Sequence, residues 1–290
     1  MLLYQQKRED SDEILKDFTI FATEITRKII AMDRENKFEE FLEKCKKENQ
    51  ICGAGNPYAH ILLVGQEHYA EKPITNDTEW KEYLDKNYDY CSITNNPWVK
   101  KDENDNRWRN CQNPSKTWCY YQQLINKALP KRLNRSGKQI KDFEFDAFTT
   151  ELNNEAKPSS RVNGKEERKQ LRERIEARLK VFEESDFIKN FPVIVLACGD
   201  YVTNSVERGV TQINDTFGVE FDGELKGRHK SEKGKLRFTT HHSKDKQRLV
   251  IHTRQFSLRY TNKEDREWLV NEMSKVIKEH LDHLEKLGLL

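Results

Sequence analysis

Residues 60–70 read His-Ile-Leu-Leu-Val-Gly-Gln-Glu-His-Tyr-Ala. Four apolar residues run directly into a glycine and then into polar groups. A short run of this kind is typical of a strand that is buried on both faces. In open α/β sheets, ligands bind in the crevice beyond the carboxyl ends of the strands. The residues expected to line such a site are Gly65, Gln66, Glu67, His68 and Tyr69. The alternative is a strand that ends in an ordinary surface turn.

Three further segments have the character of strands in the same sheet. These three segments lie near 145–152, 193–198 and 248–252, and with 60–65 they would make four strands. A glycine or polar residues follow each of the three: Asn153 and Asn154 after the first, Gly199-Asp200 after the second, and His252 to Ser257 at the end of the third. Because these runs alternate with amphipathic helices, the sequence predicts a three-layer α/β/α fold with a mainly parallel, four-stranded central sheet.

The helices are predicted from apolar residues that recur at intervals of three and four. This pattern covers 11–34, 36–49, 115–129, 164–190 and 263–287. A further helix is expected around 201–208, after the glycine that ends the third strand. Residues 71–115 look irregular, because Pro and Asn-Pro interrupt a segment rich in Trp and Tyr. Loops of that length are usually functional or disordered, and the aromatic content argues against disorder.

Length and charge predict one domain. The chain has 290 residues, of which 34% are charged and 35% hydrophobic, and its net charge is +2. We expect a single domain over 1–290 with an N-terminal helical extension (about 1–50) and a basic insertion (about 218–247). Between residues 226 and 254 there are ten Lys or Arg and two acids. This segment has two interpretations: a strip that follows a phosphate backbone, or a polar hairpin.

The six cysteines form no Cys-x-x-Cys pair. A long chain without an apolar signal segment at its start favours free thiols and a cytoplasmic location. No apolar run approaches the length of a membrane span, so a membrane partner is not expected.

Two of these loops resemble motifs of the uracil-DNA glycosylase superfamily. Gly65-Gln66-Glu67-His68-Tyr69 is similar to the water-activating loop Gly-Gln-Asp-Pro-Tyr of these enzymes. His252-Thr253-Arg254-Gln255-Phe256-Ser257 is similar to their closing loop His-Pro-Ser-Pro-Leu-Ser. The order, spacing and strand context agree, and the residues from Val193 to Gly199 resemble a further strand of the family. The resemblance implies a uracil-DNA glycosylase-like fold over roughly residues 58–260.

The resemblance also implies a role for each residue. Glu67 and His252 would be catalytic: Glu67 stands at the position of the family's aspartate, and His252 would stabilise the departing base anion. The substrate would be held by Gly65, Gln66, His68, Tyr69 and either Asn153 or Asn154, with Gln66 on the pyrimidine edge and Tyr69 blocking a thymine methyl. The nucleic acid would be contacted by Arg254, Gln255, Phe256 and Ser257, with Phe256 as the wedge that fills the gap left by an extruded base. Tyr88 or Tyr90 would replace the phenylalanine on which the base stacks.

The activity implied is hydrolysis of the N-glycosidic bond of a damaged or deaminated base in DNA, either single- or double-stranded. This chemistry needs a water-orienting acceptor and a hydrogen-bond donor, and it requires no metal or other cofactor. The sequence leaves the oligomeric state open.

Three alternatives remain at this point. The chain is either such an enzyme or a non-catalytic nucleic-acid or nucleotide-binding protein that has the pocket. The third is a metal-dependent nuclease, because Asp146 with Glu155-Ala156-Lys157 imitates a carboxylate site for Mg²⁺. Single residues also have ordinary structural interpretations: His252 as a buried structural histidine, and Phe256 as a core residue.

Overall fold

A computed structural model describes most of the regular structure of the chain. The residues it describes are 25, 29–67, 74, 76–92, 116–129, 143–155, 164–205, 209–226, 237–256 and 263–290. Most of the predicted helix over 11–34 lies outside these ranges, and so do His68, Tyr69 and Ser257. In the part of the chain that is described, no helix combines the length and the apolar character needed to cross a membrane. The five cysteines in that part are free thiols.

The described part of the chain contains both helices and strands. The helices are α1 (29–47), α2 (Asp77–Cys91), α3 (Lys116–Ala128), α4 (Gly164–Glu183), α5 (Asp186–Lys189), α6 (Gln212–Phe217) and α7 (Lys263–Lys286). The strands are β1 (Ala54–Gly55), β2 (Ile61–Glu67), β3 (Ala147–Asn153), β4 (Val193–Leu196), β5 (Asn204–Ser205), β6 (Val210–Thr211), β7 (Glu220–Lys226), β8 (Arg237–His242) and β9 (Leu249–Thr253). The predicted helices over 115–129, 164–190 and 263–287 are confirmed within a few residues at their ends, apart from a break between α4 and α5.

The central sheet has the order β1-β3-β2-β4-β9-β8-β7. Its middle consists of the four predicted strands, β3, β2, β4 and β9, and these are parallel to one another. The pairs Val64↔Leu196 and Leu196↔His252 fix their register. The prediction of an α/β fold with a mainly parallel sheet is therefore confirmed. The sheet is wider than predicted, because β1, β8 and β7 add antiparallel strands at its two sides.

Both faces of the sheet are covered by helices. Along β2, Leu62 and Val64 belong to one hydrophobic cluster, and Ile61 and Leu63 belong to the other. This alternation is what a strand buried on both sides requires. Helices α1, α2, α4, α5 and α6 contribute to the first cluster, and α3 and α7 contribute to the second.

Two stretches differ from the sequence prediction. Residues 77–91, expected to be irregular, form α2, which Asn76 caps by accepting a hydrogen bond from the backbone N–H of Glu79 at 2.9 Å. Its buried residues Leu84, Tyr88 and Cys91 follow at steps of four and three, so the helical pattern was present beneath the exposed aromatic residues. Where a helix was expected around 201–208, the described residues up to 205 form a 3₁₀ turn (Gly199–Tyr201) and then β5, and residues 206–208 lie outside the described ranges.

The described part of the basic insertion is a pair of antiparallel strands, β7 and β8, that extends the main sheet. Arg248, one of the ten basic residues between 226 and 254, forms hydrogen bonds within the fold. Its Nε donates to the carbonyl of Lys189 at 2.7 Å, and its Nη1 donates to the carbonyl of Phe217 at 2.6 Å. These contacts join the start of β9 to the ends of α5 and α6.

Candidate active site at the carboxyl edge of the sheet

The four parallel strands bring their polar ends to one edge of the sheet. Only β4 separates β2 from β9, and neighbouring strands lie about 4.8 Å apart, so the ends of β2 and β9 are about 10 Å from each other. Side chains from both ends can therefore reach one ligand. This edge is where an open α/β sheet binds its ligands.

Gln66 and His252 meet at the backbone that follows β4. The amide Nε2 of Gln66 donates to the carbonyl of Cys198 at 2.9 Å, and Nε2 of His252 lies 2.9 Å from the carbonyl of Gly199. A carbonyl can only accept, so Nε2 of His252 carries the proton, and Nδ1 of the neutral ring remains an acceptor. Two predicted site residues from distant parts of the chain are thus brought together.

Gly199 allows this arrangement because its backbone is left-handed, with φ at 58°. A β-carbon added there would lie 3.5 Å from Nε2 of Gln66, which is ordinary contact. The requirement for glycine is therefore the backbone conformation and not a lack of space.

The buried surroundings of His252 favour the neutral form of its ring. Burial lowers its pKa, and its hydrogen bond to Gly199 and the charge of Asp200 only partly oppose this effect. A neutral imidazole that donates a hydrogen bond through Nε2 can stabilise developing negative charge.

The two asparagines at the end of β3 have different roles. Asn153 is fully buried, and its Oδ1 accepts from Nε of Arg174 at 3.1 Å. Asn154 points to the other side of the strand, where its Oδ1 accepts from the N–H of Ile51 at 2.6 Å and its Nδ2 donates to the carbonyl of Asn49 at 2.7 Å. The amide of Asn154 therefore holds the turn before β1, and its substrate contact stays a prediction.

Glu151 was not among the predicted site residues. It pairs with Gly65 across the two central strands, and its carboxyl group occupies the space that a side chain at position 65 would need. Burial raises the pKa of Tyr83 and Tyr121 and of the Cys198 thiol, and the nearby charge of Glu151 raises each of them further. The signal in the sequence was a glutamate near the carboxyl end of β3, which reads Ala-Phe-Thr-Thr-Glu-Leu-Asn.

The remaining residues of the first loop are only partly described. The backbone of Glu67 ends β2 opposite Asn153. The side chain of Glu67 and the whole of His68 and Tyr69 lie outside the described part of the chain, so their roles stay predictions.

Phe256 is not an exposed wedge. Only 1% of its surface is accessible, and its ring packs against Tyr121 at 5.5 Å and Tyr120 at 6.2 Å between centroids. Helix α3 thus covers Phe256, and the predicted DNA contact for it is wrong. Arg254 is exposed and Gln255 is half-buried just before it, and Ser257 lies outside the described residues.

Tyr88 is not placed to stack on a base either. It is buried in the core, and its hydroxyl donates to the carbonyls of Cys45 and Gln50 at 3.1 and 2.8 Å.

The nuclease alternative fails on geometry. Asp146 precedes β3 and Glu155 follows it, so their backbones are separated by the length of the strand, roughly 25 Å. Two carboxylates that far apart cannot share a metal ion. Among the described residues, no group of three or more His, Cys, Asp and Glu side chains is arranged to hold a metal.

Comparison with known proteins assigns no family to the chain. No protein-family model matches the sequence, and no curated protein is significantly similar to it. The fold and the geometry at the carboxyl edge are therefore the basis for a functional proposal.

Proposed function

We propose that the protein is a uracil-DNA glycosylase-type enzyme that hydrolyses the N-glycosidic bond of a damaged or deaminated base in DNA, with a uracil-DNA glycosylase-like fold. One observation carries this proposal: Gln66 and His252, each from a loop that resembles a glycosylase motif, are held together on the Cys198–Gly199 backbone.

The hydrogen-bonding capacity of the two side chains suits this chemistry. Gln66 uses one N–H on Cys198, which leaves its Oε1 as an acceptor and its second N–H as a donor for the edge of a base. His252 has a protonated Nε2 that now meets the Gly199 carbonyl. When a glycosidic bond breaks, the base departs as an anion, which is a stronger acceptor than a carbonyl. The His252 N–H would then turn from Gly199 to the base.

In this proposal, Glu67 is the carboxylate that orients the attacking water. The sugar develops positive charge as the bond breaks, so a carboxylate that orients water also favours the transition state. It is one methylene longer than the family's aspartate, so its carboxylate reaches about 1.5 Å further along one C–C bond.

The decisive experiment is uracil release from single- and double-stranded oligonucleotides, with and without EDTA. We expect release that EDTA does not suppress. Glu67→Gln and His252→Ala should each abolish most release and leave DNA affinity nearly intact, because both groups act mainly on the transition state. The matched controls are Glu285→Gln and His283→Ala, which change exposed residues of the same types at the end of α7. Full activity in either test variant would remove that residue from the mechanism.

A second candidate is a non-catalytic protein that binds a nucleic acid or nucleotide in the same pocket. It is favoured by the fact that the His252 N–H already has a partner within the protein. Saturable binding of uracil-containing DNA without any base release over long incubation would support this candidate and refute the enzymatic one.

A further inference from the structure

We propose that the apolar stripe at the start of α1, formed by Ile25, Ile29 and Met32, is an interaction surface that pairs two copies of this chain in a parallel coiled coil. These three side chains expose 41%, 61% and 64% of their surfaces. Their steps of four and three residues place them on one face of a helix. The inference goes beyond the proposed activity and does not depend on it.

The second half of α1 packs on the domain with its other side. Phe38 and Phe41 are buried in the core, and Nε of Arg34 donates to the carbonyl of Pro57 at 2.9 Å. An α-helix has about 3.6 residues per turn, so the nine residues from Ile29 to Phe38 make about two and a half turns. Ile29 therefore faces away from the body on which Phe38 packs, which agrees with its exposure.

The apolar stripe has the period of a coiled-coil seam. The same spacing of three and four residues extends back along the sequence, and the full set is Leu15, Phe18, Ala22, Ile25, Ile29 and Met32. This is the pattern of the a and d positions of a heptad, whose side chains enter holes between the side chains of another helix. The next two positions of the repeat, 36 and 39, are Asn and Glu, so the pattern ends where α1 reaches the domain. The spacing therefore selects a second helix as the occupant of the stripe.

The charges beside the stripe make it complementary to a second copy of itself. With Ile29 at a and Met32 at d, Lys28 stands at g and Asp33 at e of the next heptad. Residues at e and g of neighbouring helices form ion pairs that decide partner and direction. Two parallel copies in register would bring Lys28 of each chain beside Asp33 of the other, twice by symmetry. Asp33 is exposed, and its ion pair with Lys37 of the same helix uses Oδ2, so Oδ1 faces solvent in the single chain.

The seam is short, so the pairing should be reversible. Residues 15–32 would span roughly 27 Å at about 1.5 Å per residue. An isolated helix of this length is marginal in water, although this one continues into a part of α1 that the domain holds. We therefore expect a dimer that dissociates on dilution.

The test is sedimentation velocity of the full chain at a series of concentrations, with light scattering to give the mass. We expect the mass of two chains at high concentration and of one chain on dilution. Ile29→Asp should raise the dissociation constant by about a hundredfold or more, because each dimer loses two buried isoleucines and gains two charges in the seam.

The matched control is Ile30→Asp. Ile30 is 60% exposed, much like Ile29, but it lies about 100° further around the helix, outside the a and d positions. Ile30→Asp should therefore remain dimeric. Urea unfolding of both variants at a concentration where the wild type is monomeric should match the wild type, because both side chains are exposed.

A second pair of variants tests the direction of the two helices. Lys28→Glu and Asp33→Lys should each weaken the dimer by about tenfold, because two attractive pairs across the seam become repulsive. Mixed in equal amounts, the two variants should pair with each other at close to wild-type affinity, since opposite charges then face each other at both places.

Three results would each overturn the proposal. The first is the mass of a single chain at every concentration, or a mass above that of two chains. The second is equal dissociation of the dimer by Ile29→Asp and Ile30→Asp. The third is a mixture of the two charge variants that pairs no better than either variant alone.

Discussion

Replacing Gly65 by alanine should act on the candidate site through Glu151. A β-carbon at position 65 would lie 2.1 Å from Oε2 of Glu151 and 2.8 Å from its Cδ and Oε1. Ordinary contact begins at 3.4 Å, so the carboxyl group would have to withdraw by about 1.3 Å, the difference between 3.4 and 2.1 Å. The backbone of Gly65 is not left-handed, so alanine is not otherwise strained there.

The expected losses in stability and in activity differ in size. The obstacle is the end of a side chain and not backbone, so the free energy of unfolding should fall by about 1–3 kcal/mol, as for other overpacked sites. A displacement of about 1 Å in a catalytic site can reduce the rate on the order of a hundredfold. We therefore expect Gly65→Ala to remain folded and to lose most of its uracil release.

The assay is a double-mutant cycle with Glu151→Ala, followed by urea unfolding and by single-turnover uracil release. Removing the carboxyl group should relieve the clash, so Gly65→Ala should cost less stability in the Glu151→Ala background. Gly223→Ala is the matched control, since it lies in a strand with its nearest obstacle, Thr240 Oγ1, at 3.7 Å. An equal loss of stability in both backgrounds would refute the contact with Glu151 as the cause.

Three other predictions concern the fold around the site. Phe256→Ala should lower the free energy of unfolding by about 3–5 kcal/mol, because the ring is buried against α3, and urea unfolding with only a small loss would contradict this. Asn154→Ala should cost about 1–3 kcal/mol by leaving the N–H of Ile51 and the carbonyl of Asn49 without partners, and hydrogen exchange should quicken at Ile51 and not across the sheet. Stability should also depend on pH, because burial lowers the pKa of His241 and His280 to about 4. Between pH 6.5 and pH 4, these two histidines are therefore protonated in the unfolded chain and neutral in the folded chain. Stability should then fall as the pH falls, by up to about 1.4 kcal/mol per pH unit for each histidine, and urea unfolding of His280→Gln at pH 7 and 5 should show a shallower slope than the wild type.

Three of the four central strands could be predicted from apolar runs alone, because burial on both faces leaves a local signal. The run of apolar residues in β2, β4 and β9 identifies each of them without knowledge of its neighbours. The strands β1, β7 and β8 were missed for the opposite reason. β1 has two residues, and β7 begins Glu-Phe-Asp-Gly-Glu, which is polar because it lies at the side of the sheet. Their pairing depends on the neighbouring strand more than on their own composition.

The candidate site likewise contains residues whose positions could be predicted from the sequence and residues whose positions could not. Gln66 and His252 could be expected to meet, because the carboxyl ends of parallel strands share one edge. Asn154 and Phe256 could not be placed, because the side of the chain to which a residue after a strand points is set by its packing partners. Glu151 was missed because its position depends on the absence of a side chain at Gly65, on a strand 86 residues earlier in the sequence.

Helix α4 links the stability of the domain to the geometry of the site. Its buried residues Leu171, Ile175 and Leu179 pack into the core, and its arginines hold the end of β3. Arg178 is fully buried, and its hydrogen-bond partners within the described part of the chain are carbonyl, amide, hydroxyl and thiol groups.

A buried guanidinium whose hydrogen-bond partners are all neutral is costly, and its stacking on the ring of Phe182 at 4.6 Å offsets only part of that cost. An aliphatic side chain would fill the same space at lower electrostatic cost, but it could not bond to the carbonyl of Glu151 and the hydroxyl of Thr150 at once. Arg178 therefore fixes the backbone on which Glu151 and Asn153 stand. The packing of the apolar face of α4 into the core in turn fixes the position of Arg178. The position of the Asn153 amide is therefore determined by the packing of α4, which lies more than ten residues away in the sequence. Helix α4 belongs to the site for this reason, although none of its residues resembles a catalytic motif.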